Sequence, residues 1–243
     1  MRPLAQLWSA PLLTDQGDPL GALDLLGEPV SWLAARHPFV SPHRHLAAAQ
    51  ALAALGRVSE ALAELDAVDE VATQQRTGRF AARVDNIRAW ILRNTGDLAE
   101  ADARNEAAYA RSTGAPGMSE PIADALLGLA DGRLRAGDPA AAGALLAQVG
   151  SEAAAEHPFA WRQALEGRLL EGRCLLAEGD REGAALAAAE VTAEAARVGV
   201  VRYVALGTAL AAKARNDPVD TAEVRRVAPL DAGWLLAPAA QHQ

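Results

Sequence analysis

A glycine that ends a helix recurs along this chain, and this repeat constrains the fold more than any other feature. The glycines are Gly17, Gly56, Gly96, Gly137 and Gly179, at intervals of 39, 40, 41 and 42 residues. Glycine readily adopts the left-handed conformation that closes a helix. The spacing therefore predicts a series of helical hairpins with a period of about 40 residues.

Small residues recur at fixed distances on both sides of each glycine. Alanine stands five residues after it, and alanine or glycine stands seven residues before it. The positions are Ala22, Ala61, Ala101, Ala142 and Ala184 after the glycines, and Ala10, Ala49, Ala89, Ala130 and Gly172 before them. Because two helices approach closely only where side chains are small, these positions are expected at helix–helix contacts.

The segment from Arg79 to Ala101 shows how one repeat divides its surface. With 3.6 residues per turn, one set of apolar residues falls within roughly 60° on the helix, and a polar set falls within roughly 80° on a separate face. The apolar set is Phe80, Val84, Ile87 and Ile91, and the polar set includes Arg83, Asn86, Trp90 and Arg93. The apolar stripe predicts burial, and the polar face predicts a surface that can bind a ligand.

This register of small, glycine and alanine positions resembles the tetratricopeptide repeat. The usual period of that family is about 34 residues, and the period here is about six longer. The first aromatic position of the family is filled here by Gln6, His45, Asp85, Ala125 and Arg168. Longer repeats of this kind are similar to the helical sensor regions of large actinobacterial transcription regulators. The resemblance implies an all-α fold, a right-handed α-α superhelix (solenoid) of about five helical hairpins with a degenerate C-terminal cap.

The same resemblance gives a single domain over residues 1–228, followed by a tail over 229–243. Repeats are expected at 2–36, 42–75, 78–112, 120–155 and 158–197, with a degenerate unit at 199–228. In the degenerate unit Asn216 replaces the glycine, and asparagine tolerates the same left-handed geometry. The tail contains Trp234 and is expected to fold back as a cap.

The composition narrows the classes of function. A net charge of −8 argues against a nucleic-acid-binding protein, which should carry a basic patch. A lone cysteine, Cys174, cannot form an internal disulfide. No apolar run reaches the length of a membrane span. These features predict a cytoplasmic protein that binds neither nucleic acid nor membrane.

Motifs for catalysis and cofactor binding are missing from the sequence. Lys213 is the only lysine, so a phosphate-binding G-x-x-x-x-G-K-[ST] loop is impossible. The tripeptide His-Pro-Phe occurs at 37–39 and 157–159, where proline starts a helix and phenylalanine staples it. A metal site would need more ligands at workable spacing. The sequence therefore predicts no metal, no cofactor and no catalysis, although a general acid–base pair leaves little trace in one sequence.

In the tetratricopeptide family the first helix of each hairpin lines a concave groove. Carried over by offset from each glycine, the residues expected to bind a ligand are Gln50, Arg83, Asn86, Trp90, Arg93, Asp131 and Arg173. Arginine recognises a carboxylate through two parallel hydrogen bonds, and tryptophan supplies apolar contact area. A ligand with a carboxylate beside an apolar group, such as an acidic peptide or the C-terminus of a protein, would satisfy both.

Internal pairing is the competing interpretation of the same charges. Arg83 and Asp124 occupy equivalent positions on neighbouring helices, and Arg173 and Asp131 could pair in the same way. Three functions stay open at this point. The protein is a module that binds a peptide or another protein, a sensor region whose partner is another domain of a larger transcription regulator, or an enzyme with an unrecognised helical active site. A homo-oligomer is compatible with each.

Overall fold

The computed structural model describes residues 2–37, 39–75, 78–152 and 160–236. Within these ranges the protein forms fourteen helices and no strand, which confirms the all-α prediction. The helices are α1 (Arg2–Asp15), α2 (Pro19–Leu25), α3 (Glu28–Ala34), α4 (Val40–Ala54), α5 (Val58–Gln75), α6 (Gly78–Thr95), α7 (Leu98–Ser112), α8 (Ser119–Arg135), α9 (Pro139–Glu152), α10 (Ala160–Ala177), α11 (Arg181–Val198), α12 (Val201–Arg215), α13 (Thr221–Val227) and α14 (Ala232–Leu236). The second His-Pro-Phe tripeptide, at 157–159, and residues 237–243 lie outside the described ranges.

The predicted glycines end the helices in the expected conformation. All five have a positive φ, from 72° at Gly56 to 108° at Gly96, and Asn216 has a φ of 60° where the glycine is missing. At each glycine the backbone N–H of the next residue donates to a carbonyl five residues earlier, as from Asp97 to Leu92. This is the hydrogen bond of a Schellman cap. The same aspartate then caps the next helix, since the Asp97 carboxylate accepts from the Glu100 N–H at 3.1 Å.

The small positions around each glycine lie at helix contacts, as predicted. The alanines five residues after the glycines are at most 1% exposed, and the four alanines seven residues before them are fully buried. At the fifth such position, Gly172, an added Cβ would lie 2.9 Å from Cδ2 of Leu210 and 3.0 Å from Cβ of Ala187. Side chains larger than alanine therefore do not fit between these helices.

Helices that follow one another in the sequence pack side by side from α4 to α12. A second set of contacts joins α4 to α6, α6 to α8, α8 to α10 and α10 to α12, and α1 packs on α4. These alternate helices therefore form a continuous inner wall, and the helices between them lie outside. The path turns far enough for α1 to meet α10, since the Asp15 carboxylate accepts from Nε of Arg162 at 3.1 Å.

The C-terminal region contains two short helices. The last helix of the degenerate unit, α13, begins at Thr221, where the Asp220 carboxylate accepts from the Glu223 N–H and caps the helix. Beyond it, residues 228–236, called the C-terminal segment below, turn back and include α14. None of the described helices combines the length and the apolar character that crossing a membrane requires.

Candidate binding site between the inner helices

The inner helices surround a cavity of about 200 Å³ that the C-terminal segment borders on one side. Its walls are unusually rich in charged side chains for a protein interior. The carboxylates are Asp15, Glu120, Asp124, Asp131, Glu166 and Asp231, and the guanidinium groups are Arg93, Arg162, Arg173 and Arg202. Charges rarely leave water without a partner, so the partners of each group decide what the cavity can bind.

The structure brings the residues predicted from the sequence together around this cavity. Six of the seven line it, namely Gln50, Asn86, Trp90, Arg93, Asp131 and Arg173. The seventh, Arg83, pairs with Glu120, and Glu120 lines the cavity. Counting back a fixed number of residues from each glycine therefore identified side chains on the inner faces of α4, α6, α8 and α10.

The two internal pairs expected from the sequence have different outcomes. Arg173 and Asp131 do pair, with Nη1 and Oδ1 2.7 Å apart. The pairing of Arg83 with Asp124 is wrong, because Arg83 bonds to Glu120, which lies one turn earlier on α8. Asp124 instead accepts a hydrogen bond of 2.7 Å from Nε2 of Gln163 on α10.

Three arginines converge on Asp131 and join α6, α8 and α10. Arg135 contacts its Oδ2 at 2.9 Å and Arg173 its Oδ1 at 2.7 Å, while Nε of Arg93 lies 3.9 Å away. Burial would raise the pKa of Asp131, but the positive charges of Arg173, Arg135 and Arg93 lower it to about 2. This end of the cavity therefore carries more positive than negative charge.

Arg93 is fixed by further contacts within the same network. Its guanidinium donates to Oδ1 of Asn105, and Asn105 donates to Oδ1 of Asn86 at 2.9 Å. Asn86 in turn donates to the Pro121 carbonyl at 2.9 Å. Much of the polar face predicted on α6 is thus used to hold neighbouring helices together.

Asp124 and Glu166 form a second, acidic region of the cavity. Their hydrogen-bond donors are neutral groups, the Gln163 amide for Asp124 and the Tyr203 hydroxyl, at 2.8 Å, for Glu166. Burial, reinforced by the negative charge of Glu120, raises the pKa of Asp124 to about 6. Burial likewise raises the pKa of Glu166. The two carboxylates therefore lie where a positive charge would be favourable.

The C-terminal segment places three of its side chains into the interior. Asp231 accepts from Nε of Arg202 at 2.9 Å, from Nη2 at 3.1 Å and from the indole N–H of Trp90 at 3.3 Å. Leu230 is buried in the apolar cluster formed by α4, α5 and α6. The Trp234 ring lies 3.7 Å from the guanidinium carbon of Arg173. The interior thus binds a carboxylate, an aliphatic side chain and an aromatic ring from the same short segment.

Arg202, Tyr203 and Asp231 were missed by the sequence analysis, although a signal for one of them was present. Tyr203 stands thirteen residues before Asn216, as Asp124 and Glu166 stand before Gly137 and Gly179. Treating Asn216 as a glycine stop would have placed Tyr203 on the inner wall. The position of Asp231 depends on how the segment folds back, and no periodicity indicates that.

Neither a reactive thiol nor a cluster of metal ligands is found among the described residues. Cys174 is buried, which raises the pKa of its thiol to about 11, so the thiolate that reacts as a nucleophile is scarce. Across the residues that the structure describes, no three His, Cys, Asp or Glu side chains are arranged to hold a metal ion.

No model of a known protein family matches this sequence, and a search of curated proteins finds no match either. The geometry of the cavity is therefore the basis for assigning a function.

Proposed function

We propose that this protein is a non-catalytic binding module whose interior takes a peptide segment of a protein partner. The preferred segment carries a carboxylate beside apolar side chains. The observation that carries this proposal is the binding of Asp231, Leu230 and Trp234 from the protein's own C-terminal segment. A partner segment with the same three groups would gain the same contacts when it replaces the C-terminal segment.

Each of the three contacts is of a kind that gives affinity in peptide recognition. A carboxylate held by two nitrogens of one guanidinium is bound through charge-assisted bonds and in a fixed orientation. A tryptophan over an arginine and a leucine in an apolar cluster add buried area. The side chains that make these contacts come from three different inner helices, namely Arg202 on α12, Trp90 on α6 and Arg173 on α10. The site is therefore built on regular helices, which position side chains more precisely than loops do.

The proposal includes the finer architecture expected from the sequence, a right-handed superhelix of about five hairpins like that of tetratricopeptide-repeat proteins. The regular glycine spacing and the continuous row of inner helices support it. In such a superhelix the inner helices form the concave side, where the cavity lies. A cytoplasmic location is also part of the proposal.

Titration calorimetry with a peptide that copies residues 229–234, PLDAGW, tests this function. We expect it to bind the full-length protein weakly and the Asp231→Asn variant more tightly, because that variant weakens the competing segment. Asp217→Asn is the matched control, since it makes the same charge change beside exposed Arg215. It should bind the peptide as the unaltered protein does.

The same experiment can contradict the proposal in two ways. A peptide with asparagine in place of its aspartate should bind at least about tenfold more weakly, because a charged hydrogen bond contributes about 1.5–3 kcal/mol. Equal binding of the two peptides would show that the carboxylate is not recognised. Absence of binding to both the full-length protein and Asp231→Asn would remove the proposed function itself.

A further inference from the structure

Three side chains that can accept hydrogen bonds line the cavity, one from α8 and two from one face of α10. Gln163 and Glu166 are three residues apart on α10 and therefore share a face. Asp124 reaches this face from α8, where it accepts from Nε2 of Gln163 at 2.7 Å. All three side chains line the cavity, which remains open at about 200 Å³ with the C-terminal segment in place.

The amide oxygen of Gln163 is the unusual member of this group. Gln163 is only 7% exposed, and its Oε1 has no hydrogen-bond partner among the described residues. Its nitrogen is already engaged by Asp124, so Oε1 is an unsatisfied acceptor in a side chain that lines the cavity. Buried acceptors are nearly always satisfied in proteins, and a ligand with an N–H donor in the cavity would satisfy this one.

Among the described residues, Asp124 lacks the guanidinium partner that the other acids of the cavity have, and Glu166 has only a distant one. Asp15, Glu120, Asp131 and Asp231 each pair with at least one arginine. In the described part of the protein, Asp124 has no guanidinium nitrogen within 4 Å, and the nearest to Glu166 is Nη2 of Arg202 at 4.0 Å. The donors that do reach them, an amide and a hydroxyl, are neutral.

We propose that Asp124, Gln163 and Glu166 bind the primary ammonium group of a ligand. An ammonium has three N–H donors and no acceptor, which matches three acceptors of which two are charged. The carrier is either a small free amine or the lysine side chain or N-terminus of a peptide. The inference deepens the proposed function and rests on it in one respect, namely that the ligand enters the same cavity.

The electrostatics of the surroundings agree with this assignment. Burial and the neighbouring charge of Glu120 raise the pKa of Asp124, while Arg162 and Arg83 act in the opposite direction. Glu166 faces Asp231 and Asp131 as well as Arg202. A bound ammonium would favour the ionised form of both acids, and Asp124 would release its proton on binding near pH 6.

Calorimetry on the full-length protein at neutral pH and low salt tests the site with two probes. One is pentylamine, and the other is a short lysine peptide compared with its Nε-acetylated form. We expect binding of at least one probe, and no binding of the acetylated peptide. Pentylamine alone would identify a small amine as the ligand, and the lysine peptide alone would identify a protein segment.

Two variants connect the binding to these residues. Asp124→Asn and Glu166→Gln should each weaken the probe about tenfold or more, because each removes a charged hydrogen bond. Glu182→Gln, an exposed change of the same charge on α11, should leave the affinity unaltered. Equal affinity of the unaltered protein and the three variants for the probe would overturn the proposal. Absence of binding of either probe to the unaltered protein would overturn it too, and the acceptors would then be hydrogen-bonded to water.

Proton release on binding can be measured on the unaltered protein, so it tests the site even if a variant fails to fold. The binding enthalpy of the probe at pH 6 should depend on the ionisation enthalpy of the buffer, since Asp124 loses its proton on binding. Absence of that dependence would contradict the site. The amine titration is independent of the PLDAGW titration, so loss of one with retention of the other shows which proposal fails.

Discussion

The carboxylate of Asp231 is held by two nitrogens of Arg202, at 2.9 Å from Nε and 3.1 Å from Nη2. The contact fixes the C-terminal segment to α12, and the indole N–H of Trp90 extends it to α6. Both charged side chains are largely buried, with exposures of 8% for Asp231 and 18% for Arg202. The C-terminal segment is therefore held at the border of the cavity by a largely buried ion pair.

Replacing Asp231 by alanine should lower the free energy of unfolding by about 2 kcal/mol or more. The change leaves a largely buried guanidinium with Glu166, 4.0 Å away, as its nearest acid. Urea denaturation followed by circular dichroism measures this change in the free energy of unfolding. The control is Glu223→Gln, which breaks the exposed pair with Arg226 and should not move the unfolding midpoint. An equal effect of the two changes would show that the segment is not held through Asp231.

Ala61→Leu should destabilise the protein by about 1–3 kcal/mol, because leucine has no room at a helix contact where alanine is fully buried. Ala63→Leu is the matched control on the same helix, since Ala63 is exposed. Thermal unfolding of both variants separates the effect of packing from that of helix propensity. Similar melting temperatures for the two would mean that the small positions do not set the distance between helices.

The helices and their ends could be predicted from the sequence because they depend on local rules. Gly96 and Asp97 determine a helix end and the next helix start through backbone conformation and one capping bond. The fixed offset from each glycine then identified which side chains face inward, because a helix has a constant period. Much of the wall of the cavity was therefore predictable.

The partners within the cavity were not predictable in the same way. Arg83 could reach either Asp124 or Glu120, which are one turn apart on α8, and the observed choice of Glu120 depends on how α6 and α8 are set against each other. Asp231 lies 141 residues from Trp90 in the sequence, and no local pattern links them. Pairings that depend on tertiary geometry need the structure.

Asp131→Asn should destabilise the protein by about 3 kcal/mol, since it removes the negative charge that three arginines share in a buried place. Asp66→Asn is the control, because Asp66 is 74% exposed and pairs with Arg88 at the surface. That change should alter the free energy of unfolding by less than about 0.5 kcal/mol. Denaturant titration of both variants measures the difference. A small effect of Asp131→Asn would mean that water or repacking compensates the arginines.

The pH dependence of stability provides the last prediction, through Asp124. Its folded-state pKa of about 6 lies above the ordinary value of 3.8, because burial disfavours the charged form. Folding therefore favours the protonated acid, so the stabilising contribution is complete below about pH 4 and is lost as the pH rises through 6.

Asp124→Asn has no proton to lose at this position, while its amide oxygen can still accept from Gln163. The stability of the unaltered protein relative to this variant should thus fall by about 2–3 kcal/mol between pH 4 and pH 7. Urea denaturation of both proteins across this range measures the difference at each pH. A constant difference would show that Asp124 titrates like a carboxyl group in water and that the acidic region of the cavity is well hydrated.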